Sequence, residues 1–104
     1  MSGFEERERA EEARFAHNEE RVFKARARRN RLIGLWAAGK LGLAGKAAED
    51  YAGIIAAADL AKPGDEVVIA HLVKDLGPKG VAEHTIRHEL ADLMAKALEE
   101  LAKS

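Results

Sequence analysis

With 104 residues, the chain has room for one domain whose core is modest in size. Hydrophobic residues make up 47% of the chain but aromatic residues only 5%, which predicts an all-α fold with thin packing, because alanine favours helix and buries little surface. The absence of cysteine excludes a disulfide framework and thiolate metal sites, and the net charge of −1 conceals a strong segregation of charge along the chain.

The first segment, residues 4–31, is highly charged and prone to form a helix. Of its 28 residues 16 are charged, and it contains neither glycine nor proline. Residues 1–20 carry a net charge of −4 and residues 21–31 a net charge of +6. Acidic side chains precede basic ones at the i,i+4 spacing that stabilises a helix, as in Glu5–Arg9. We therefore expect a helical segment with little capacity to form a core.

Large apolar residues are sparse in this segment. Phe4, Phe15 and Val22 fall within about 20° of one another on a helical surface, but they are widely spaced along the chain. So few apolar groups cannot offset the entropy of ordering the segment. We expect residues 1–18 to be a frayed or disordered arm in the free protein, and residues 19–104 to form the folded domain.

The segment Leu32–Ala38 carries no charge and is apolar on several sides, which predicts a helix covered by its neighbours. Trp36, the single tryptophan, is the predicted core anchor. Glycines at 39, 42 and 45 predict a turn near residues 42–45.

Three further helices are predicted over Lys46–Ala61, Glu66–Leu76 and Val81 to about Ala102. Asp65 is a candidate N-cap of the middle one. The β-branched run Val67-Val68-Ile69 would suit a strand, but a lone strand has no partner here. The residues predicted to face the core are Ala48, Tyr51, Ala52, Ile55, Ala58, Leu60, Val68, Leu72, Val73, Leu76, Ile86, Leu90, Leu93, Met94, Ala97, Leu98 and Leu101.

The loops between these helices are short, which favours antiparallel packing in a small four-helix bundle. The Gly77-Pro78-Lys79-Gly80 run is a clear turn signal. The apolar pattern never becomes a sustained heptad repeat, which argues against a coiled-coil dimer and favours a monomer when the protein is free.

A glycine-rich stretch at residues 39–47 is similar to a phosphate-binding loop, but the similarity is superficial. Five residues separate Gly39 from Gly45, where the motif has four, and Ala47 stands where a Ser or Thr would bind magnesium. No strand precedes the stretch. A turn between two helices is the better interpretation.

No enzymatic site can be argued from the sequence. His84 and His88 have the i,i+4 spacing that lets two imidazoles share a metal ion, but no cysteine and no HExxH motif accompanies them. Thr85 is the single threonine, and the two serines stand near the termini, so no nucleophile–base pair is evident. We predict no catalytic residues, no metal site and no cofactor.

Two binding hypotheses remain open from the residues alone. The basic segment Lys24–Arg31 could contact nucleic acid, although no aromatic interleaving or known motif accompanies it. On a helix Lys24, Arg28 and Arg31 fall on one side, whereas Arg26 and Arg29 point away. A solvated basic face, or one that meets an acidic protein surface, is the favoured interpretation. The arm suits helix-in-groove recognition of a protein, in which a few apolar side chains dock among charges that set the orientation.

Three stretches of the sequence resemble one known family. They are FEERERAEEARFAHNEE at residues 4–20, FKARARRNRLIGLWAAGKLG at residues 23–42, and the Pro63-Gly64-Asp65 turn. Together they resemble the zeta subunit of alphaproteobacterial F-type ATP synthases, over essentially the whole chain and most densely over residues 4–42. The segment Leu60-Ala61-Lys62 departs from the family pattern, in which an aromatic and acidic run is expected.

The resemblance implies a four-helix bundle with a mobile inhibitory arm, from Ser2 to about His17. It implies that the arm enters, as a helix, a catalytic interface between alpha and beta subunits of the ATP synthase head, near the gamma subunit. There it would block ATP hydrolysis while leaving synthesis possible. The residues expected to contact the partner are Phe4, Glu5, Glu6, Arg7, Glu8, Arg9, Glu11, Glu12, Arg14 and Phe15.

Cellular placement follows from the same resemblance and from hydropathy. The longest uncharged runs have eight residues, far short of the roughly 20 that span a membrane, and no secretory signal is visible. We expect a cytoplasmic protein, peripheral to the inner membrane through the ATP synthase, with no direct membrane insertion and no nucleic-acid partner. The resemblance also implies weak ADP or ATP binding in some members, for which the sequence shows no motif.

Overall fold

The computed structural model describes the backbone of residues 2–61 and 64–103, and the side chains of residues 19–59 and 64–102. In this part of the chain the helices are α1 (Ser2–Lys40), α2 (Gly45–Ala61), α3 (Asp65–Leu76) and α4 (Glu83–Lys103), and a short 3₁₀ helix covers Gly77–Lys79. The predicted all-α fold of four helices is confirmed. The run from Val67 to Ile69 is helical, so the rejection of a strand was correct. The predicted end of α2 at Lys62 and Pro63 lies outside the described residues.

The core forms where α1 packs along α2 and α4, and α3 closes the remaining side. Ile86, Leu90 and Ala97 are buried on α4, which confirms the stripe predicted from its periodicity. Ile69 on α3 is buried as well, although its position was not among those predicted to face inward. The central cluster of buried side chains comprises Ile33, Ala37, Ile55, Val68, Ile69, Leu72, Leu76, Ile86 and Leu90.

The turn between α1 and α2 is a Schellman motif, in which a glycine in the left-handed conformation ends the helix. Gly42 has φ +79°, and the N–H of Leu43 donates to the carbonyl of Ala38 at 2.8 Å. The N–H of Gly42 donates to the carbonyl of Gly39 at 3.2 Å. These amides are therefore used to close the helix and do not point at a phosphate. The prediction of a helix-to-helix turn is confirmed.

Gly34 sets how closely α1 and α2 approach each other. A Cβ atom at this position would lie 2.6 Å from the Cα of Ala52 and 3.0 Å from its Cβ. Because the nearest of these atoms belongs to the backbone, a side chain at position 34 would push the two helices apart. The two helices therefore pack closely through small residues, Gly34 on α1 and Ala52 on α2.

Replacing Gly34 by alanine should destabilise the bundle despite the higher helix propensity of alanine. Overpacking a close contact costs about 1–3 kcal/mol, and the gain in propensity offsets about 1 kcal/mol of it. We expect a net loss of up to about 2 kcal/mol, measured as a lower midpoint in urea unfolding. The matched control is Gly53→Ala on α2, where an added Cβ meets nothing within 4 Å, and it should stabilise the protein. Midpoints that shift in the same direction would contradict this account of Gly34.

Trp36, the predicted core anchor, is partly buried. Its ring packs against the edge of the core cluster, and Lys40 Nζ lies 5.8 Å from the ring centroid. The fully buried residues next to it on α1 are the small or branched Ile33, Ala37 and Ala38.

Candidate functional site

Helix α1 carries both the predicted arm and the first helix of the bundle. Arg26 lies level with Asp59, two residues before the end of α2, and Arg28 lies level with Glu100, three residues before the end of α4. The helices that cover α1 run two to three residues beyond these pairs and therefore end near Ala25, which is still fully buried. The backbone of α1 continues from there as helix to Ser2.

The side chains of the predicted contact residues lie outside the described part of the structure. The mobility of residues 1–18 and the division of the chain at residue 18 likewise stay predictions. The residues concerned are Phe4, Glu5, Glu6, Arg7, Glu8, Arg9, Glu11, Glu12, Arg14 and Phe15.

A polar cluster fastens α1 to the junction of α2 and α3, close to where the arm begins. We call these five residues, Arg26, Arg29, Asn30, Asp59 and Asp65, the polar node. Asp59 accepts hydrogen bonds from Arg26 Nη2 at 3.0 Å and from Asn30 Nδ2 at 2.8 Å. Arg29 Nη2 donates to Asp65 Oδ1 at 2.9 Å and to Asn30 Oδ1 at 2.8 Å. The two carboxylates thus hold three polar residues, Arg26, Arg29 and Asn30, on one side of α1.

Burial makes this cluster sensitive to any loss of a partner. Arg29 is 3% exposed and Asn30 is 2% exposed. A buried guanidinium is tolerated only when it is paired and its N–H groups find acceptors. Asp59 also accepts from the backbone N–H of Gly64 at 3.4 Å, so the same carboxylate contacts the residue that precedes α3. The polar node therefore fixes α1 against both neighbouring helices.

Asp65 does not cap α3 as predicted. The N-cap position is Gly64, and no side chain caps the helix. Asp65 is the first helical residue, and its carboxylate pairs with Arg29 at 2.9 Å and with Arg26 at 3.4 Å. A carboxylate in the first turn still interacts favourably with the helix dipole. The two arginines displace it from the capping role, because they offer stronger, charged donors.

The other bases of the predicted basic segment also pair with acids of this chain. Lys24 lies 3.2 Å from Glu20, and Arg28 Nε lies 2.6 Å from a carboxylate oxygen of Glu100. Arg31 makes a looser contact of 3.9 Å with Glu49. The acidic surface that the basic segment was predicted to meet is thus formed largely by this chain's own helices.

This pairing lowers the electrostatic support for the nucleic-acid hypothesis. The predicted geometry was correct in that Arg26 and Arg29 point away from the other bases, but they point into the bundle and Arg29 is not solvated. Phosphate binding depends on exposed cations that release counterions. Here the cations from Lys24 to Arg31 are matched by carboxylates, so the described surface is a poor electrostatic match to a polyanion.

The edge between α3 and α4 is closed by a second set of ion pairs. Arg87 donates to both carboxylate oxygens of Glu66 at 2.9 Å, and to Glu83 at 3.2 Å. The Arg87 guanidinium lowers the pKa of Glu66, chiefly through the hydrogen bonds. Glu66, Arg87 and the Arg29–Asp65 pair are the polar residues that line a groove of about 490 Å³. The apolar side chains that line the rest of the groove are Ile69, Leu90, Ala91, Met94, Ala95 and Leu98.

Three other titratable side chains in the described part of the chain pair with a neighbouring carboxylate. Tyr51 donates to Asp75 Oδ2 at 2.7 Å, and burial together with this bond raises the pKa of the phenol. His71 Nε2 lies 3.3 Å from the same oxygen, and His88 lies 3.3 Å from Asp92. Within the described residues, no group of three or more potential ligands could hold a metal ion.

Sequence reasoning missed Asn30 and Asp59, which are central to the polar node. Asn30 stands three residues before the buried Ile33, so its spacing places it on the core-facing side of a helix. An amide there is a signal for a buried polar partner. Asp59 follows the run of alanines 56–58 near the end of α2. The C-terminal end of a helix carries a partial negative charge, which repels an acidic side chain. An acidic residue at this position could therefore have indicated a cation that pairs with it.

Comparison with protein families identifies a match over most of the chain. The family model described as ATPase inhibitor subunit zeta matches residues 1–100. A comparison with curated proteins found no match. None of the helices in the described part of the chain is both long enough and apolar enough to cross a membrane.

Proposed function

Because the chain belongs to the ATPase inhibitor subunit zeta family, we propose that it inhibits ATP hydrolysis by an F-type ATP synthase through insertion of its N-terminal arm. The arm, from Ser2 to about His17, enters as a helix a catalytic interface between an alpha and a beta subunit, near the gamma subunit. The protein acts by binding and has no catalytic chemistry of its own.

The observation that carries this proposal is the extension of α1 beyond the helices that cover it. The polar node holds the helix on the bundle side of that point, so the arm is presented from a fixed base. The bases between Lys24 and Arg31 pair with carboxylates of this chain, and the charged arm extends beyond the covering helices.

Inhibition follows from binding to one conformation of a cycling interface. A helix that binds one state of the interface shifts the population toward that state, by as much as its affinity differs between states. Hydrolysis requires the interface to pass through every state in turn. Holding one of them stops turnover, without any need for the arm to imitate the substrate.

The decisive experiment titrates the full chain into purified catalytic head of an F-type ATP synthase and measures ATP hydrolysis. We expect inhibition that saturates near one chain per head, because one trapped interface is enough to stop the cycle. Synthesis, measured in energised vesicles with the intact enzyme, should persist at the same concentration. Unchanged hydrolysis at a large excess of the chain would show that this member is not an inhibitor.

A further inference from the structure

Two large apolar side chains remain exposed at the base of the arm. Phe23 is 64% exposed and Val22 is 43% exposed, and the other large hydrophobic side chain exposed among the described residues is Ile54 on α2, at 54%. Single exposed apolar residues are common, but an adjacent pair next to a binding segment calls for an explanation.

The helical register shows that these two side chains lie on faces that are buried elsewhere in α1. Residues seven apart on a helix differ by about 20° in direction. Val22 therefore shares a face with Arg29, which is 3% exposed, and Phe23 shares a face with Asn30, which is 2% exposed. Val22 and Phe23 are thus core-facing by position, and they are exposed because the covering helices end near Ala25, the first buried residue that the structure describes on α1.

The same face continues toward the arm. Phe15 stands seven residues before Val22, so it falls on that face by sequence spacing, about 10 Å farther along the helix. The bundle covers one end of this face, and the partner of the arm would cover the other. Val22 and Phe23 lie between the two covered regions on one continuous helix.

We propose that Val22 and Phe23 form a second docking point for the catalytic head of the ATP synthase, beyond the inhibitory arm. This inference rests on the proposed function, because the two residues would bind the same catalytic head that binds the arm. The pair packs on an apolar patch at the rim of the interface, while the arm occupies the interior. The nearby charges of Glu20 and Lys24 pair with each other at 3.2 Å, so the contribution of this point is chiefly apolar.

The test compares full-length chains in which only this surface differs. Val22→Ala with Phe23→Ala should raise the concentration for half-inhibition of hydrolysis about tenfold to a hundredfold, as expected when two apolar side chains lose a buried contact. The melting temperature should stay nearly unchanged, because both side chains are exposed and alanine favours helix. Phe23→Leu alone, which keeps an apolar side chain, should inhibit almost as well as the unaltered chain.

Ile54→Ala is the matched control, since it removes an equally exposed apolar side chain that does not continue the arm. It should change half-inhibition less than twofold. Unaltered potency of the Val22/Phe23 variant, with the original chain still inhibiting, would overturn the second docking point and leave the proposed function intact. If the original chain itself fails to inhibit or bind the head, the proposed function falls, and this surface with it. An equal loss with Ile54→Ala would also overturn the proposal, because the effect would not be specific to the base of the arm.

Discussion

Replacing Asp59 by asparagine should lower the melting temperature by about 10 °C or more, although the two side chains have almost the same size. The Asp59 carboxylate accepts from Arg26, Asn30 and the backbone N–H of Gly64. Asparagine keeps one acceptor oxygen and replaces the other by an NH₂ group. That group would face either the amide of Asn30 or the guanidinium of Arg26, both of which are donors.

The size of this effect follows from burial. Removing one partner of a buried charged network costs about 3–5 kcal/mol, and we expect about 2–3 kcal/mol here because Arg26 is partly exposed. In a domain of about 100 residues each kcal/mol corresponds to roughly 4–8 °C in melting temperature. Circular dichroism at 222 nm during a thermal ramp would measure the shift.

The control for this prediction is Glu49→Gln. Glu49 makes an exposed contact of 3.9 Å with Arg31, and both side chains are 66% exposed. Such pairs contribute about 0–1 kcal/mol, so the melting temperature should change by only a few degrees. If the Asp59→Asn variant has the same melting temperature as the Glu49→Gln variant, the polar node does not fix α1 as described.

Local sequence patterns predicted the helices of this protein better than they predicted its polar contacts. The stripe of Ile86, Leu90 and Ala97 repeats at helical spacing, so periodicity within one segment was enough to identify it. The contact between Asn30 and Asp59 joins residues 29 positions apart. This contact depends on the axial position of α1 relative to α2, and no pattern within either helix predicts that position.

The depth to which Trp36 is buried could not be predicted from its own segment for the same kind of reason. Its size and hydrophobicity predicted a core anchor, and it packs partly buried against the core cluster. The contact between Gly34 and Ala52 limits how closely α1 and α2 approach each other. A glycine within a helix does not by itself indicate a close helix contact, since it also occurs where nothing packs against it, as at Gly53. The resemblance to a known family predicted the fold but not this distance.

The two ends of α1 therefore satisfy opposite requirements. Between Ala25 and Ala38 the helix is held by buried small residues and by the polar node. Before residue 19 its sequence holds too few apolar residues to form a core of its own. A segment that pays ordering entropy only on binding can follow an interface that opens in some states and closes in others. The poor core-forming capacity of the arm is thus a property that an inhibitory arm requires.

A chain that begins at Asn18 should lose inhibition by at least about a hundredfold and keep its melting temperature. Two phenylalanines leave with the arm, and burying each in a partner stabilises binding by about 1.5–3 kcal/mol. The buried core residues that the structure describes all lie after residue 24, so the bundle should fold without the arm. Hydrolysis assays on the purified head measure the first quantity, and thermal unfolding measures the second. Equal inhibition by the two chains would mean that the bundle, and not the arm, is the inhibitor.

Phe4→Ala combined with Phe15→Ala in the full chain separates the apolar contacts of the arm from its charges. If the two rings supply most of the binding energy, this variant should approach the potency of the shortened chain while melting at the original temperature. The opposite pattern is expected from Ile55→Val, which removes a buried methylene and costs about 0.5–1.5 kcal/mol of stability but leaves the arm intact. It should melt earlier and inhibit fully at temperatures where it is folded. A large fall in melting temperature for the phenylalanine variant would instead indicate that the two rings belong to the core of the free protein.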